Sequence, residues 1–428
     1  MAKINSTSTR ILSGSIASWI RILVGIGSQI FLVPIFLSSW DTTIYGVWLL
    51  LLAMLGALNL FALSYHDYVG FELIKIGHSR KKVSYLISAS IPVNLLIGLL
   101  IFSSSFLIYW IDIGLYLNLE ETHSQLFSIS LLISTFFLML TTNISGFIER
   151  WLIPFGYYPF FAWMRVYRTI ITAVVPAIFA FAGADLLSAV IAMVIADLMF
   201  HFIIYWIVIK ECKSEGFYFI KPRIFLGFRL WLKSTGLLVR YLIDMSRQMG
   251  IRLVMAPLVE PQQIAAFATI RTGANIALQG VQSVSGAILP ELMRFVRDRD
   301  AVKIESTFSV FWMMVLFLIL PGVLIIQPIM PVFFEFWTLG KIQFSSELFA
   351  ALALGVLIFS IAMPFEAIIR GQNFIKIQIF IASVVATITI IGTYLFVPDY
   401  GLEAAGYSLL ISEMISMYLE PPQKIKTK

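Results

Sequence analysis

Long apolar stretches recur along the chain, separated by short polar, basic or proline-bearing turns. A helix crossing a bilayer needs about 20 mainly apolar residues. By that measure twelve spans are expected, at 12–37, 44–64, 84–110, 124–148, 159–182, 186–209, 234–258, 263–289, 306–327, 347–369, 375–397 and 403–419. Backbone groups in lipid must bond within their own segment, so these read as helices; barrel strands would alternate apolar and polar positions. Pro222, Pro261, Pro290, Pro398, Pro421 and Pro422 fall between or after the spans. Pro34, Pro92, Pro176, Pro257, Pro321 and Pro364 fall inside them and should kink them, which membrane bundles tolerate.

Composition agrees with that pattern. Of 428 residues, 59% are hydrophobic and 13% charged, and the mean hydropathy is +0.91. Soluble domains carry about 25% charged residues. The chain is therefore expected to be an all-α polytopic membrane protein. The first apolar stretch is too long for the core of a signal peptide and has no clear cleavage site, so it should remain as a span. Orientation follows from the basic residues. With the N-terminus in the cytoplasm, 24 of the 30 lie in cytoplasmic segments or at their borders, and only Lys341 lies in an external loop. Both termini are then cytoplasmic. The pI near 9.2 reflects this bias and not nucleic-acid binding. The longest cytoplasmic connector is expected over about Lys210–Lys233, and the longest external one over about Pro328–Ser346, with Phe334, Phe336 and Trp337 as interfacial anchors.

The chain divides into six spans and six: an N-terminal bundle over 1–210, a cytoplasmic linker over 211–233 and a C-terminal bundle over 234–428. Faint similarity links the halves. Gly14 matches Gly236, Ile44 matches Ile264 and Gly183 matches Gly401, at offsets of 222, 220 and 218. A six-span repeat returns the chain to its starting side, so the copies are expected to be parallel, related by a pseudo-two-fold axis along the membrane normal. Transporters built this way bind substrate between the halves and alternate access.

The remaining five basic residues lie inside spans: Arg21, Arg240, Arg247, Arg252 and Arg271. An intramembrane charge costs about 2.5–3.5 kcal/mol on insertion scales and marks function by default. In "RYLIDMSRQMGIRL" the spacing puts Arg240, Asp244 and Arg247 on one helix face, with Arg252 about a third of a turn away. Asp244 can pair with either neighbour, as a brace or as a gate that cargo displaces. In the first span Gly14, Ser18, Arg21, Gly25 and Ser28 form a small, polar stripe, and in the eighth Arg271, Asn275, Gln279 and Gln282 form another. Small residues at these spacings also serve close helix packing. Arg165, Arg168 and Thr172 make a third stripe near the cytoplasmic end of the fifth span. The acids are fewer. Asp197 precedes His201 by four residues and reads equally as a proton relay or a satisfied polar pair, and Glu413 carries the same ambiguity. Surplus cations lining a cavity favour an anionic cargo, and arginine's planar donor fork suits phosphate.

No catalytic, nucleotide or metal motif is present: no HExxH, no GxxxxGK[ST], no GxSxG. The acid pair Asp298 and Asp300 sits among Arg294, Arg297 and Arg299 and reads as a self-neutralised loop. The single Cys212 excludes an internal disulfide. No cofactor, metal or enzymatic activity is expected.

The opening "LSGSIASWIRILVGIGSQIFLVPIFLSSWDTTIYGVWLLL" and the closing "YGLEAAGYSLLISEM" resemble the polysaccharide translocases of the O-antigen flippase (Wzx) type, in the multidrug, oligosaccharidyl-lipid and polysaccharide exporter superfamily. The resemblance implies two six-helix bundles in a V-shaped, alternating-access fold in the bacterial inner membrane. It implies a cargo of undecaprenyl-pyrophosphate-linked oligosaccharide, such as an O-antigen repeat unit of lipopolysaccharide, moved from the cytoplasmic to the periplasmic leaflet. Membrane lipids, a polysaccharide polymerase and a chain-length regulator are the implied partners. The competing readings are a multidrug/cation antiporter of the same fold, which would favour acids in its cavity, and a membrane-bound polysaccharide-processing enzyme.

Overall fold

In the computed structural model the described residues are 7–217, 221, 223–298, 300–371 and 375–419, without the side chains at 7–11, 247–248, 277, 280–291, 293–294, 296–297, 366–371 and 375–376. Every regular element among them is a helix: α1 Thr7–Ser39, α2 Thr42–Ile76, α3 Arg80–Ile111, the short α4 Ile113–Tyr116, α5 Glu121–Leu140, α6 Thr142–Leu152, α7 Tyr158–Phe181 and α8 Leu186–Ser214, then α9 Ile224–Met245, α10 Ile251–Met255, α11 Pro261–Asp298, α12 Ala301–Met314, α13 Leu320–Trp337, α14 Ser346–Gly371, α15 Ile375–Tyr400 and α16 Leu402–Leu419. A 3₁₀ turn, Ile153–Phe155, extends α6, and π-helical segments at Ser246–Gly250 and Val315–Ile319 join α9 to α10 and α12 to α13.

Joined across these irregularities, the helices make twelve rods in the order the hydropathy pattern predicts. Nine of them, among the described residues, are long and apolar enough to cross a membrane, with mean hydropathies of 1.4 to 2.6. The other three, α9–α10, α11 and α16, carry Arg240, Asp244, Arg252, Arg271 and Glu413. The protein is thus an all-α polytopic membrane protein. Large apolar side chains on the outer faces, such as Trp110, Phe181 and Trp206, are exposed, as a surface solvated by lipid tails requires.

The rods overrun the expected spans at several ends. α8 runs on to Ser214 and α9 begins at Ile224, and α13 continues through Phe334 and Phe336 to Trp337, leaving 338–345 before α14. α11 and α15 run on through Pro290 and Pro398, which the sequence pattern puts between spans.

The chain forms two compact units, Met1–Leu242 and Ile243–Lys428. The first takes in the connector expected as a separate linker and most of α9, where Gly227 rests against the Ala89 carbonyl and Leu230 joins the core. That core is built by α2, α3, α6, α7 and α8 around Tyr65, Phe147, Trp151 and Phe161; α1 packs chiefly on α7. In the second unit α14 packs on α11 and α16, and α15 on α16 and α10.

Starts and stops follow local chemistry. Asp41 and Asp185 cap α2 and α8 by accepting from the amides of Ile44 (2.7 Å) and Ser188 (3.0 Å). Gly183 and Gly401 take φ of +87° and +69°, the left-handed conformation that ends a helix most readily at glycine. They occupy the α7 to α8 and α15 to α16 turns, respectively.

Close helix approach in the first unit rests on small residues. Ser105 and Thr135 hydroxyls meet at 2.5 Å between α3 and α5, the packing mode expected where lipid removes the hydrophobic driving force. A Cβ on Gly98 would strike the Asn143 amide and approach Met139 Cγ at 2.9 Å, whereas one on Gly25 would meet nothing within 4 Å. Gly98→Val should therefore destabilise the protein by about 1–3 kcal/mol, and Gly25→Ala should leave it unchanged or slightly firmer. Thermal unfolding in detergent compares the two; equal midpoints would contradict the packing described.

Candidate functional site

The first unit contains a chain of buried and half-buried charges. Arg168 on α7 reaches Asp197 on α8 through Nε at 2.8 Å and Nη2 at 3.2 Å, and the same Nη2 donates to Thr142 Oγ1 at 2.6 Å. His201 is buried; its Nδ1 lies 2.6 Å from the Asp197 carbonyl and 3.4 Å from the carboxylate. That geometry makes Nδ1 the protonated nitrogen, donating one turn back. On α6, Arg150 meets Asp67 of α2 at 2.6 Å, and Glu149 lies 3.6 Å from Arg150 and 3.8 Å from Arg165. Tyr241 on α9 donates to the other Asp67 oxygen at 2.6 Å. Arg150, Arg165 and Arg168 thus stand against Asp67, Glu149 and Asp197, an arrangement without surplus charge.

Glycines make these reaches possible. The Arg150 stem lies across Gly70, where a Cβ would come within 3.1 Å of Cδ, and the His66 ring lies across Gly146, where a Cβ would meet Nδ1 at 2.9 Å. His66 bonds Asn94 at 2.8 Å, and Asn94 and Asn143 exchange amide-to-carbonyl bonds at 3.1 and 3.0 Å, tying α2, α3 and α6. The fourth rod breaks at Thr141, with φ −104° and ψ −91°. Carbonyls freed at a break in lipid need partners. Tyr205 Oη on α8 supplies one toward Leu140 and Thr141, 2.9 Å from the latter, and Arg168 binds the next hydroxyl, Thr142.

The residues singled out from sequence fall into different settings. Arg21 on α1 and Arg240 on α9 are exposed. The stripe around Arg21 divides: Gly14 is buried against the Tyr158 ring and Ser18 bonds the Gly14 carbonyl at 2.9 Å, while Gly25 faces open space. Arg240 and Asp244 share a face of α9, and Asp244 is exposed. The regular four-and-three spacing does not continue past them. The π segment Ser246–Gly250 widens the turn, so Arg247 and Arg252 do not take the α-helical positions expected relative to Asp244. The Arg247 side chain, like that of Gln282, lies outside the described residues. Arg252 is half-buried on α10. Arg271 is buried on α11 with its guanidinium 5.9 Å from the Phe267 ring centre, a cation–π arrangement. Glu413 is half-buried on α16. Asp197 and His201 are joined, but with Arg168 as the carboxylate's principal partner.

Asp67, Glu149 and Arg150 are not among the residues that the sequence pattern singles out. The second and fourth expected spans close at 64 and 148, whereas α2 runs to Ile76 and α6 to Leu152. A signal for the longer α2 is present in the chain: "SYHDYVGFELIKI" remains apolar between its charges. Among the described residues no group of three or more His, Cys, Asp or Glu is placed to hold a metal ion.

No protein-family profile matches the sequence, and no curated protein matches it. Solved structures do match in fold. The lipid II flippase MurJ in an inward closed conformation superposes with a TM-score of 0.71 at 16% identity, covering 95% of this chain and 86% of that one. An inward-facing multidrug resistance MATE family transporter of the MOP superfamily gives 0.67 at 14% identity, covering 96% of each chain. The Vibrio cholerae MATE transporter VcmN in its bent form gives 0.56 at 14% identity, with coverages of 97% and 96%. The chain has the fold shared by this flippase and these transporters.

Double-mutant analysis of Arg168→Gln and Asp197→Asn tests the buried pair. Each single change should cost about 3–5 kcal/mol by stranding the partner, and the double change should cost clearly less than their sum. Thermal unfolding in detergent reads the coupling; strict additivity would remove the pair from the framework.

Proposed function

We propose that the protein is a flippase for an undecaprenyl-pyrophosphate-linked oligosaccharide, an O-antigen or related surface-polysaccharide repeat unit. It would carry this cargo from the cytoplasmic to the periplasmic leaflet of the bacterial inner membrane by alternating access, with both termini cytoplasmic. The carrying observation is a contrast in burial within the first unit. Arg150, Arg165 and Arg168 are half-buried beside acids, whereas Arg21 and Arg240 are exposed, Arg21 on a rod that otherwise suits lipid. Exposed cations at membrane depth line water, and an entering diphosphate finds accessible guanidinium groups there. The MurJ likeness supports a lipid-linked cargo.

In this reading Arg21, Arg240, Arg247, Arg252 and Arg271 line the cargo path. Asp244 holds Arg240 or Arg247 until cargo displaces it. Asp197, His201 and Glu413 are the groups available for coupling or gating. A polysaccharide polymerase and a chain-length regulator would take the delivered product onward. The second reading, multidrug export, is favoured by the MATE neighbours, which this chain covers almost end to end.

Proteoliposomes containing a fluorescent lipid-linked oligosaccharide separate the two. The wild type should translocate it, and Arg21→Ala with Arg240→Ala should slow translocation by roughly tenfold or more at equal folded protein, the equivalent of about 1.4 kcal/mol. Arginine-to-lysine changes should recover part of the rate, because charge returns without the planar fork. Ethidium transport without lipid-linked oligosaccharide transport would establish the multidrug reading instead.

A further inference from the structure

The second unit holds a cavity of about 480 Å³ where α14 begins and the α15–α16 hairpin turns. Its inner part is apolar. Ile388, Gly392 and Phe396 follow one another at intervals of four along α15, and Ile411 faces them from α16. From Ile388 to Phe396 the groove runs about 12 Å along the helix at 1.5 Å per residue. Beside it α15 and α16 approach closely: a Cβ on Gly392 would come within 2.7 Å of Ser408 Oγ.

Its other end is polar and acidic. Glu347 and Glu403 line it from the first turns of α14 and α16. Each is oriented by a neighbour: Tyr407 Oη donates to Glu347 at 2.6 Å and Ser345 Oγ to Glu403 at 2.6 Å. Tyr400 stands at the same rim. Among the described residues that line it there is neither lysine nor arginine. Helix N-termini favour carboxylates, and a carboxylate oxygen accepts several hydrogen bonds.

We propose that this groove is a binding site for a membrane lipid with a primary-ammonium headgroup, an aminophospholipid. The groove has the polarity of such a lipid, a cation-binding rim at the helix ends and an apolar trough parallel to two rods. An ammonium offers three N–H donors to Glu347, Glu403 and the tyrosine oxygens, and aromatic faces attract the same charge. A choline headgroup has no donor for the carboxylates, and an anionic headgroup is repelled by them. The site shares no residue with the proposed arginine-lined path and needs no assumption about the transported cargo.

Native mass spectrometry of the detergent-purified protein tests this. The probe is an equimolar mixture of dioleoyl phosphatidylethanolamine, phosphatidylcholine and phosphatidylglycerol. Wild-type protein should retain the ethanolamine lipid over the other two by roughly threefold or more, the scale of one weakly screened charge pair. Glu347→Gln with Glu403→Gln keeps shape and should bring the ratio to about one. Glu335→Gln removes a carboxylate from α13, outside the groove's lining, and should keep the preference. Equal retention of all three lipids by the wild type would overturn the proposal. So would an unchanged preference in the double variant, or its loss in Glu335→Gln.

Discussion

Arg168 and Asp197 meet 2.8 Å apart between α7 and α8, and much of the first unit is arranged around keeping such charges satisfied in lipid. The same guanidinium also holds Thr142, at the start of α6 and next to the break in the fourth rod. Tyr205, two turns beyond Asp197 on α8, covers the carbonyls that the break frees. A bilayer core offers no water to these groups, so each irregularity in the backbone requires a polar side chain from another rod. That requirement links α5, α6, α7 and α8 more specifically than apolar contact does, since apolar side chains gain little by leaving lipid for protein.

The same constraint sorts the arginines. Those drawn in against acids belong to the framework. Arg21 and Arg240 are exposed, and the proposed function puts them beside water, where an intramembrane arginine is least costly. The two classes look alike in sequence, and the anionic cargo proposed above is assigned to the second. Between them the glycines matter by what they let pass: Gly70 admits the Arg150 stem and Gly146 admits the His66 ring.

Apolar run length makes the twelve rods and their order legible in the sequence, because a membrane span is specified by composition over about 20 residues. Their ends are less legible. Asp67 and Arg150 fall outside the expected spans because a charge looks like a boundary, although its partner on another rod keeps the helix going. Arg168 and Asp197 stand out in separate stripes, but helical spacing carries no information about pairing across rods. The π segment after Met245 is also invisible in the pattern, since a widened turn leaves hydropathy unchanged while rotating every later side chain, Arg252 included. Gly14 and Gly25 share one stripe by spacing, yet only Gly14 has a neighbour, Tyr158.

Whether the exposed arginines face water at membrane depth is tested most directly by the reactivity of single cysteines. The chain has one native cysteine, Cys212, so Arg21→Cys, Arg240→Cys and the control Ile203→Cys can each be placed in a Cys212→Ser background. Ile203 is 59% exposed and lies on the face of α8 opposite the buried His201. Membrane vesicles opened to both sides are treated with a membrane-impermeant, water-soluble maleimide. Rapid labelling at positions 21 and 240, with little at 203, is the result expected of arginines beside water. Labelling at 21 and 240 as slow as at 203 would place those arginines against lipid and contradict a cationic, water-lined path.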